Sequence, residues 1–174
     1  KIHDDAADVT WPGNPSYFAL SSGTTGKESK RIPVTDAMIN AIKSAGIKQV
    51  LSLNNFDISA DFFEKEMMML GSSTDLNERD DDKLEGEISG ITASNIPFWF
   101  RPYYKPGAKI GKIDSWDKRV QRIAENAKNW DIGALSGIPS WIELMLQKVI
   151  EYHNLDNIHD IWPNLQVYTS GGVA

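Results

Sequence analysis

The sequence predicts an α/β fold in which a mostly parallel sheet is flanked by helices. Short apolar runs of strand length alternate along the chain with longer helical patterns, an order typical of parallel sheets. The composition agrees, since 41% of the 174 residues are hydrophobic and 10% are aromatic, as expected for a packed domain. A chain of this length can bury one sizeable core.

In the first half of the chain, two apolar runs predict strands and one periodic segment predicts a helix. The strands are Tyr17–Leu20 and Glu66–Leu70, the second followed directly by a glycine. Between them, Thr35 or Asp36 can cap a helix that continues to Leu51.

Residues 71–87 form a polar, charged stretch that we predict to be a solvated loop. Asp80, Asp81 and Asp82 lie within it, between Arg79 and Lys83. Three adjacent carboxylates could hold a divalent cation, but such runs are more often solvated. We therefore predict that they are exposed and hold no metal ion, so replacing all three by Asn should leave Mg²⁺-dependent turnover intact.

In the second half, an aromatic segment precedes two helices and two strands. Residues 96–104 could line an apolar pocket or pack the domain, and we favour packing. Asp114 is expected to cap an amphipathic helix, and Pro139 suits the first position of another. Strands are predicted at 130–135 and 165–169. The expected solvated face of the first helix carries Lys118, Arg119, Arg122 and Lys128.

The most informative segment is a loop of small polar residues that runs into lysines. It reads Ser21-Ser22-Gly23-Thr24-Thr25-Gly26-Lys27-Glu28-Ser29-Lys30 and lies between two strand-like pieces. Its hydroxyls and backbone N–H groups suit phosphate oxygens, and its glycines allow close approach to a ligand. A Walker loop is excluded, because Ser21 and Glu28 occupy two of its fixed positions. A flexible Ser/Gly linker remains the structural alternative.

Charge and composition exclude several classes of function. The net charge is −6 and the chain has no cysteine, so we expect no nucleic-acid partner, disulfide or thiolate metal site. No apolar run approaches the ~18 residues of a membrane span, and no secretory signal is present, so we expect a cytoplasmic protein. The histidines His3, His153 and His159 show neither metal nor triad spacing, and we read the last two as surface residues. We therefore predict neither a catalytic side chain nor a metal ligand.

Six pieces of the sequence together resemble the auxin-responsive Gretchen Hagen family of acyl acid amido synthetases, relatives of the luciferase-like adenylate-forming enzymes. Two departures from the family patterns stand out: Lys30 follows the TTG with no proline, and Ser170 stands where members often have histidine. The pieces are Trp11–Gly13, the loop with Arg31–Thr35, Leu70–Ser73, Gly86–Ile91, Leu135–Trp141, and Trp162–Val167 leading to Gly171-Gly172-Val173.

The resemblance implies a ligase that uses ATP and Mg²⁺. A carboxylic acid would first be adenylated with release of pyrophosphate, and an amino acid amine would then displace AMP to give an amide. It also implies that Leu135–Trp141 shapes the acyl site. The residues implied to contact the nucleotide are Ser21, Ser22, Gly23, Thr24, Thr25, Gly26, Lys27, Lys30, Gly171, Gly172 and Val173.

The family's members are several hundred residues long, so we expect residues 1–174 to be part of one amino-terminal adenylation domain. The resemblance places the Mg²⁺-ligating Glu, the ribose-binding Asp and the carboxy-terminal domain downstream, and we expect this piece alone to be inactive. Two alternatives remain open: a non-catalytic nucleotide or phospho-ligand binding module, and an acyl-CoA ligase.

Overall fold

The computed structural model describes residues 12–21, 30–79 and 82–171, which divide into two compact units. The first unit comprises residues up to Asp57 together with Ser72–Ile96, and the second comprises Ile58–Gly71 with the residues from Pro97 onward. The strands are β1 Pro15–Leu20, β2 Arg31–Thr35, β3 Glu66–Leu70, β4 Asn77–Glu78, β5 Leu84–Gly86, β6 Tyr104–Lys105, β7 Ile132–Gly137 and β8 Val167–Ser170. The helices are α1 Asp36–Ser52, α2 Ile88–Ser94, α3 Ala108–Gly111, α4 Trp116–Asn126 and α5 Pro139–His153.

The first unit is built on a mixed four-stranded sheet in the order β2-β1-β5-β4. β1 pairs antiparallel with β2 and parallel with β5, and β4 pairs antiparallel with β5. Apolar side chains from β1, β2, α1 and α2 form its core: Ala19, Val34, Ile39 and Ile91, with Tyr17, Met38 and Leu76 packed against them.

Helix α1 begins where the sequence predicts. The Thr35 hydroxyl accepts a hydrogen bond from the Met38 N–H at 3.4 Å, which satisfies one of the free donors of the first turn. Thr35 is buried, so leaving the Met38 N–H beside it without a hydrogen-bond partner would lower the stability of the fold.

The second unit contains a fully parallel sheet in the order β6-β3-β7-β8. Its strands are joined through helical segments, as parallel connections require. Helices α4 and α5 supply much of the apolar core, which includes Met68, Val120, Ile123, Leu135, Met145, Val149 and Trp162. Four of the six strand pairs in the described residues are parallel, so the predicted fold class is confirmed.

Three sequence predictions about individual elements need correction. The polar stretch 71–87 is not only a loop, because it contains β4 and β5. Helix α4 is capped by Ser115, whose hydroxyl accepts the Lys118 N–H, and not by Asp114. Arg119 does not lie on a solvated face: it is 6% exposed, and its guanidinium lies 5.6 Å from the Trp116 ring centroid.

Two further predictions concern ring side chains. Tyr104 packs in the interior as expected, whereas Phe98 and Trp99 of the same aromatic segment are 80% and 52% exposed. His153 is not simply a surface residue, because its Nε2 lies 2.8 Å from the Ala124 carbonyl oxygen and joins α5 to α4. His159 is exposed as predicted.

Candidate functional site

The polar loop is held at its base by a hairpin of β1 and β2. The Ser21 N–H donates to the Lys30 carbonyl at 3.0 Å, and the Lys30 N–H donates to the Ser21 hydroxyl oxygen at 3.1 Å. These bonds extend the antiparallel pairing in which Leu20 lies opposite Arg31. The loop therefore leaves and re-enters one edge of the sheet, between two strands as predicted.

Eight residues of this loop are predicted to contact the nucleotide, and two of them, Ser21 and Lys30, lie in the described part of the chain. The Ser21 hydroxyl accepts a bond from within the hairpin, which leaves its own proton to donate to a ligand. Lys30 is exposed. The other predicted contacts, Ser22, Gly23, Thr24, Thr25, Gly26 and Lys27, lie outside the described residues.

A chain of hydrogen bonds lies at the same edge of this sheet, where β5 ends beside β1. Ala19 of β1 is level with Gly86 of β5. Just after Gly86, Ser72 and Ser89 bind each other twice: the Ser72 N–H donates to the Ser89 hydroxyl oxygen at 3.1 Å, and the Ser89 hydroxyl donates to the Ser72 hydroxyl oxygen at 3.0 Å. The Ser72 hydroxyl in turn donates to the Glu87 carboxylate. These bonds hold the Glu87 carboxylate in place just after the end of β5.

Close packing holds the segment that follows Ser72. A Cβ added at Gly90 would overlap the Ser73 carbonyl oxygen, so only glycine fits the first turns of α2 here. The Thr74 side chain is also buried, at 8% exposure, and its hydroxyl has no hydrogen-bond partner within residues 12–21, 30–79 and 82–171. Sequence reasoning used Ser72, Glu87 and Ser89 only as part of a family resemblance and missed their hydrogen bonds, which join residues 15 to 17 positions apart in the chain.

A group of ion pairs lies beside the hairpin of β1 and β2 (the hairpin stem). The Arg31 Nε donates to Glu85 Oε2 at 3.0 Å, and one terminal nitrogen of Arg79 lies 3.6 Å from the same oxygen. The Arg79 guanidinium also lies 4.6 Å from the Phe18 ring centroid. Sequence reasoning did not single out Arg31, although it directly follows Lys30.

In the second unit, small residues gather at the carboxyl edge of the parallel sheet. Gly137 pairs with Leu70 on one side and with Ser170 on the other, which places Gly71 and Gly171 at the ends of the flanking strands. A Cβ at Gly137 would lie 2.7 Å from the Leu70 carbonyl oxygen, whereas one at Gly171 would meet no atom of the described residues within 4 Å. The other two residues predicted to contact the nucleotide here, Gly172 and Val173, lie outside the described residues.

The Leu135–Trp141 segment turns from β7 into α5 at this edge. Leu135 is buried, and Pro139 opens the helix as predicted. Trp141 packs against Trp116 with ring centroids 5.0 Å apart. The segment therefore shapes the surface beside Gly137, and its role toward a ligand stays a prediction.

The opposite, amino edge of the parallel sheet is lined by paired charges. Asp131 binds the Asn164 amide at 2.7 Å and the Lys65 ammonium at 2.8 Å. These hydrogen bonds, the one from Asn164 first, lower the pKa of the Asp131 carboxyl below its ordinary value. Glu66 accepts the Asp131 N–H at 2.9 Å and pairs with Lys105 at 2.8 Å.

The predictions about metal ions and membranes can be compared only with residues 12–21, 30–79 and 82–171. Within these, no three histidine or acidic side chains are grouped so that they could hold a metal ion. Of the aspartate run, Asp82 is exposed as predicted, and Asp80 and Asp81 lie outside these ranges. The helices within the same ranges are too short or too polar to cross a bilayer.

Comparison with known proteins identifies a family. A model of the GH3 family N-terminal domain matches residues 1–118. The fold is similar to that of a GH3.15 acyl acid amido synthetase, with a TM-score of 0.67 and 12% identity over 92% of this chain. It is also similar to an AtGH3.15 acyl acid amido synthetase in complex with 2,4-DB, with a TM-score of 0.55 and 17% identity over 80% of this chain. The chain spans 37% and 24% of those two proteins, and no curated protein sequence matches it.

Proposed function

The chain belongs to the GH3 family, and on that premise we propose that it is part of the amino-terminal adenylation domain of an ATP-dependent acyl acid amido synthetase. A carboxylate attacks the α-phosphorus of ATP, which forms an acyl-adenylate and releases pyrophosphate. The amine of an amino acid then attacks the acyl carbon, and AMP leaves as the amide forms. Adenylation is needed because a free carboxylate has no good leaving group.

The observation that carries this proposal is the hairpin that closes the polar loop through Ser21 and Lys30. Because Ser21 and Lys30 lie side by side at the ends of β1 and β2, we propose that the residues between them surround phosphate oxygens with N–H and hydroxyl groups. Anchoring also lowers the entropy that the loop loses when a ligand binds. The flexible-linker alternative predicts no such closure.

The predicted contacts divide into two groups with different tasks. Ser21, Ser22, Gly23, Thr24, Thr25, Gly26, Lys27 and Lys30 would bind the phosphates and spread the charge that develops during transfer. Gly171, Gly172 and Val173 would lie beside the adenine and the acyl group, since a backbone without side chains lets a flat ring approach closely. The open space at Gly171 is compatible with this role.

Mg²⁺ would neutralise charge on the triphosphate when bound. The described residues 12–21, 30–79 and 82–171 contain no group of three acidic or histidine side chains that suits the ion. The family resemblance places the Glu that would hold the ion downstream of residue 174, so we propose no metal ligand among the residues named here.

The proposal is tested by pyrophosphate release from the full-length protein with a panel of carboxylic acids and amino acids. Thr24→Ala should lower adenylation roughly tenfold to a hundredfold, because a hydrogen bond to a charged acceptor contributes about 1.5–3 kcal/mol. Thr92→Ala is the matched control, since the Thr92 hydroxyl bonds the Ile88 carbonyl within its own helix. Unaltered pyrophosphate release in Thr24→Ala would refute the phosphate role of the loop.

A further inference from the structure

We infer that Glu87 holds the ammonium group of the amino acid that accepts the acyl group, with Ser72 and Ser89 fixing its carboxylate for this task. The inference rests on the proposed function and names a residue that recognises the second substrate. The ligand class is a primary ammonium ion, which is the form of an amino acid amine at neutral pH.

Two pieces of the sequence that carry the family resemblance have no part in the phosphate or adenine contacts. They are Leu70–Ser73 and Gly86–Ile91, and the fold joins them through side chains. Ser72 and Ser89 bind each other through two hydrogen bonds, and the Ser72 hydroxyl donates to the Glu87 carboxylate. The two pieces therefore form one polar group that ends in a carboxylate.

The carboxylate of Glu87 is exposed and lacks a cationic partner within the described part of the chain. One of its oxygens, Oε2, accepts the Ser72 hydroxyl, which leaves Oε1 to accept from a ligand. Glu78 in the same unit is also exposed, but no hydroxyl of the described residues orients its carboxylate. A carboxylate that is both oriented and exposed can form a charge-assisted hydrogen bond with an incoming ammonium ion.

Close packing on both sides fixes the backbone that carries this carboxylate. A Cβ added at Gly86 would lie 2.7 Å from the Leu76 side chain, and one at Gly90 would overlap the Ser73 carbonyl oxygen. Since neighbouring groups hold the backbone before and after Glu87, its carboxylate needs little reordering when an ammonium ion binds. Such preorganisation raises affinity because less conformational freedom is lost on binding.

The strand register places Glu87 at the same edge of the sheet as Ser21. β1 and β5 are parallel neighbours, and Ala19 lies level with Gly86. The carboxyl ends of both strands therefore lie at one edge, where Ser21 follows β1 and Glu87 follows β5. Ligands of α/β proteins bind outside the carboxyl ends of parallel strands. An amine held by Glu87 would thus lie at the same edge as a phosphate group bound by Ser21.

The competing explanation is that these hydrogen bonds only fasten the segment after Ser72 to the start of α2. A structural role of this kind predicts that loss of the Glu87 charge lowers the free energy of unfolding and affects every acceptor molecule alike. Recognition of an ammonium ion predicts a loss confined to charged acceptors. The two explanations therefore differ in how the effect depends on the charge of the acceptor.

The experiment compares two acceptors of the acyl group in the full-length protein. One is the amino acid of the panel that gives the fastest amide formation, and the other is hydroxylamine, which is largely uncharged at neutral pH. Glu87→Gln should raise the KM for the amino acid about tenfold or more, because the side chain still accepts from Ser72 and loses its negative charge. The KM for hydroxylamine should stay at the wild-type value. Glu87→Asp keeps the charge on a shorter side chain and should give an intermediate KM for the amino acid.

Glu78→Gln is the matched control. Glu78 is an exposed glutamate of the same unit and has no part in the proposed site. Its replacement should leave both KM values at those of the wild type. Urea unfolding of each variant verifies that it is folded, and where Glu87→Gln does not fold, the same comparison in Glu87→Asp gives the decision.

Each outcome gives a decision. A rise in KM for the amino acid alone supports the inference. An equal rise for both acceptors, or no rise for either, overturns the inference and leaves the synthetase activity standing. A wild-type protein that releases pyrophosphate with an acid, but transfers the acyl group to no amino acid, overturns the inference and the amide-forming step together. A wild-type protein that releases no pyrophosphate with any acid refutes the proposed function as a whole, and the inference with it.

Discussion

The two edges of the parallel sheet in the second unit are built from opposite kinds of residue. At the amino edge, Lys65, Glu66, Lys105 and Asp131 bind one another through charged hydrogen bonds. At the carboxyl edge, the strands end in Leu70-Gly71, Gly137 and Ser170-Gly171, where small residues predominate. Ligands of α/β proteins bind at the carboxyl ends of strands.

We propose that this difference separates stability from ligand binding within one sheet. Ion pairs hold the starts of β3 and β7 together, and the energy they contribute does not depend on a ligand. At the other edge Gly137 is closely packed, whereas a Cβ at Gly171 would meet no atom of the described residues within 4 Å. We therefore expect substitutions at the amino edge to change unfolding, and substitutions of open positions at the carboxyl edge to change ligand binding.

Gly137→Ala should have the largest effect on stability, because the carboxyl edge is tightly packed at this one position. Its Cβ would lie 2.7 Å from the Leu70 carbonyl oxygen and 3.2 Å from Ile142, and such overpacking costs about 2 kcal/mol. Urea unfolding measures the loss. Gly171→Ala is the control and should stay within about 0.5 kcal/mol of the wild type, since its Cβ meets open space.

Lys105→Met should have the next largest effect. The Lys105 ammonium bonds the Glu66 carboxylate at 2.8 Å and the Pro102 carbonyl at 2.9 Å, and both charged side chains are mostly buried. Removing the ammonium leaves the Glu66 carboxylate without its cationic partner and should lower the free energy of unfolding, measured in urea, by about 1.5 kcal/mol. Lys109→Met, at an exposed position on α3, should cost much less. Equal losses in the two variants would contradict the role given to the amino edge.

Asp131→Asn should have a smaller effect, about 0.5 kcal/mol, because the Asp131 side chain is half exposed and its ion pair is screened by solvent. The pKa of the folded carboxyl is lowered, so its stabilisation is present above the ordinary aspartate value of about 3.9. It is lost as the pH falls through the lower folded value. The difference in the free energy of unfolding between the wild type and Asp131→Asn should therefore shrink as the pH falls below about 4.

Part of this structure is predictable from local sequence. The strand-like pieces on either side of the polar loop, the start of α1 at Thr35 or Asp36 and the start of α5 at Pro139 depend on nearby residues, and these predictions are confirmed. The antiparallel pairing of the first two strands was not predicted. Strand β5 escaped prediction because Leu84-Glu85-Gly86 has no strand pattern of its own and is stabilised by pairing with distant β1.

Other features depend on tertiary packing. Arg119 is a charged residue on an amphipathic helix, and only its position beside Trp116 and near buried Tyr104 accounts for its burial. The Ser72–Ser89–Glu87 hydrogen bonds likewise join segments 17 residues apart. The partners of the individual side chains therefore follow from the fold and not from the local sequence.

The most direct test of the division between the two edges is ATP binding by Gly171→Val in the full-length protein. A side chain there would occupy space that we assign to the nucleotide, and its Cβ would meet no atom of residues 12–21, 30–79 and 82–171 within 4 Å. We predict that the affinity for ATP falls about tenfold or more, while the free energy of unfolding in urea stays at the wild-type value. Wild-type ATP affinity in this variant would contradict the assignment of the carboxyl edge as the ligand site.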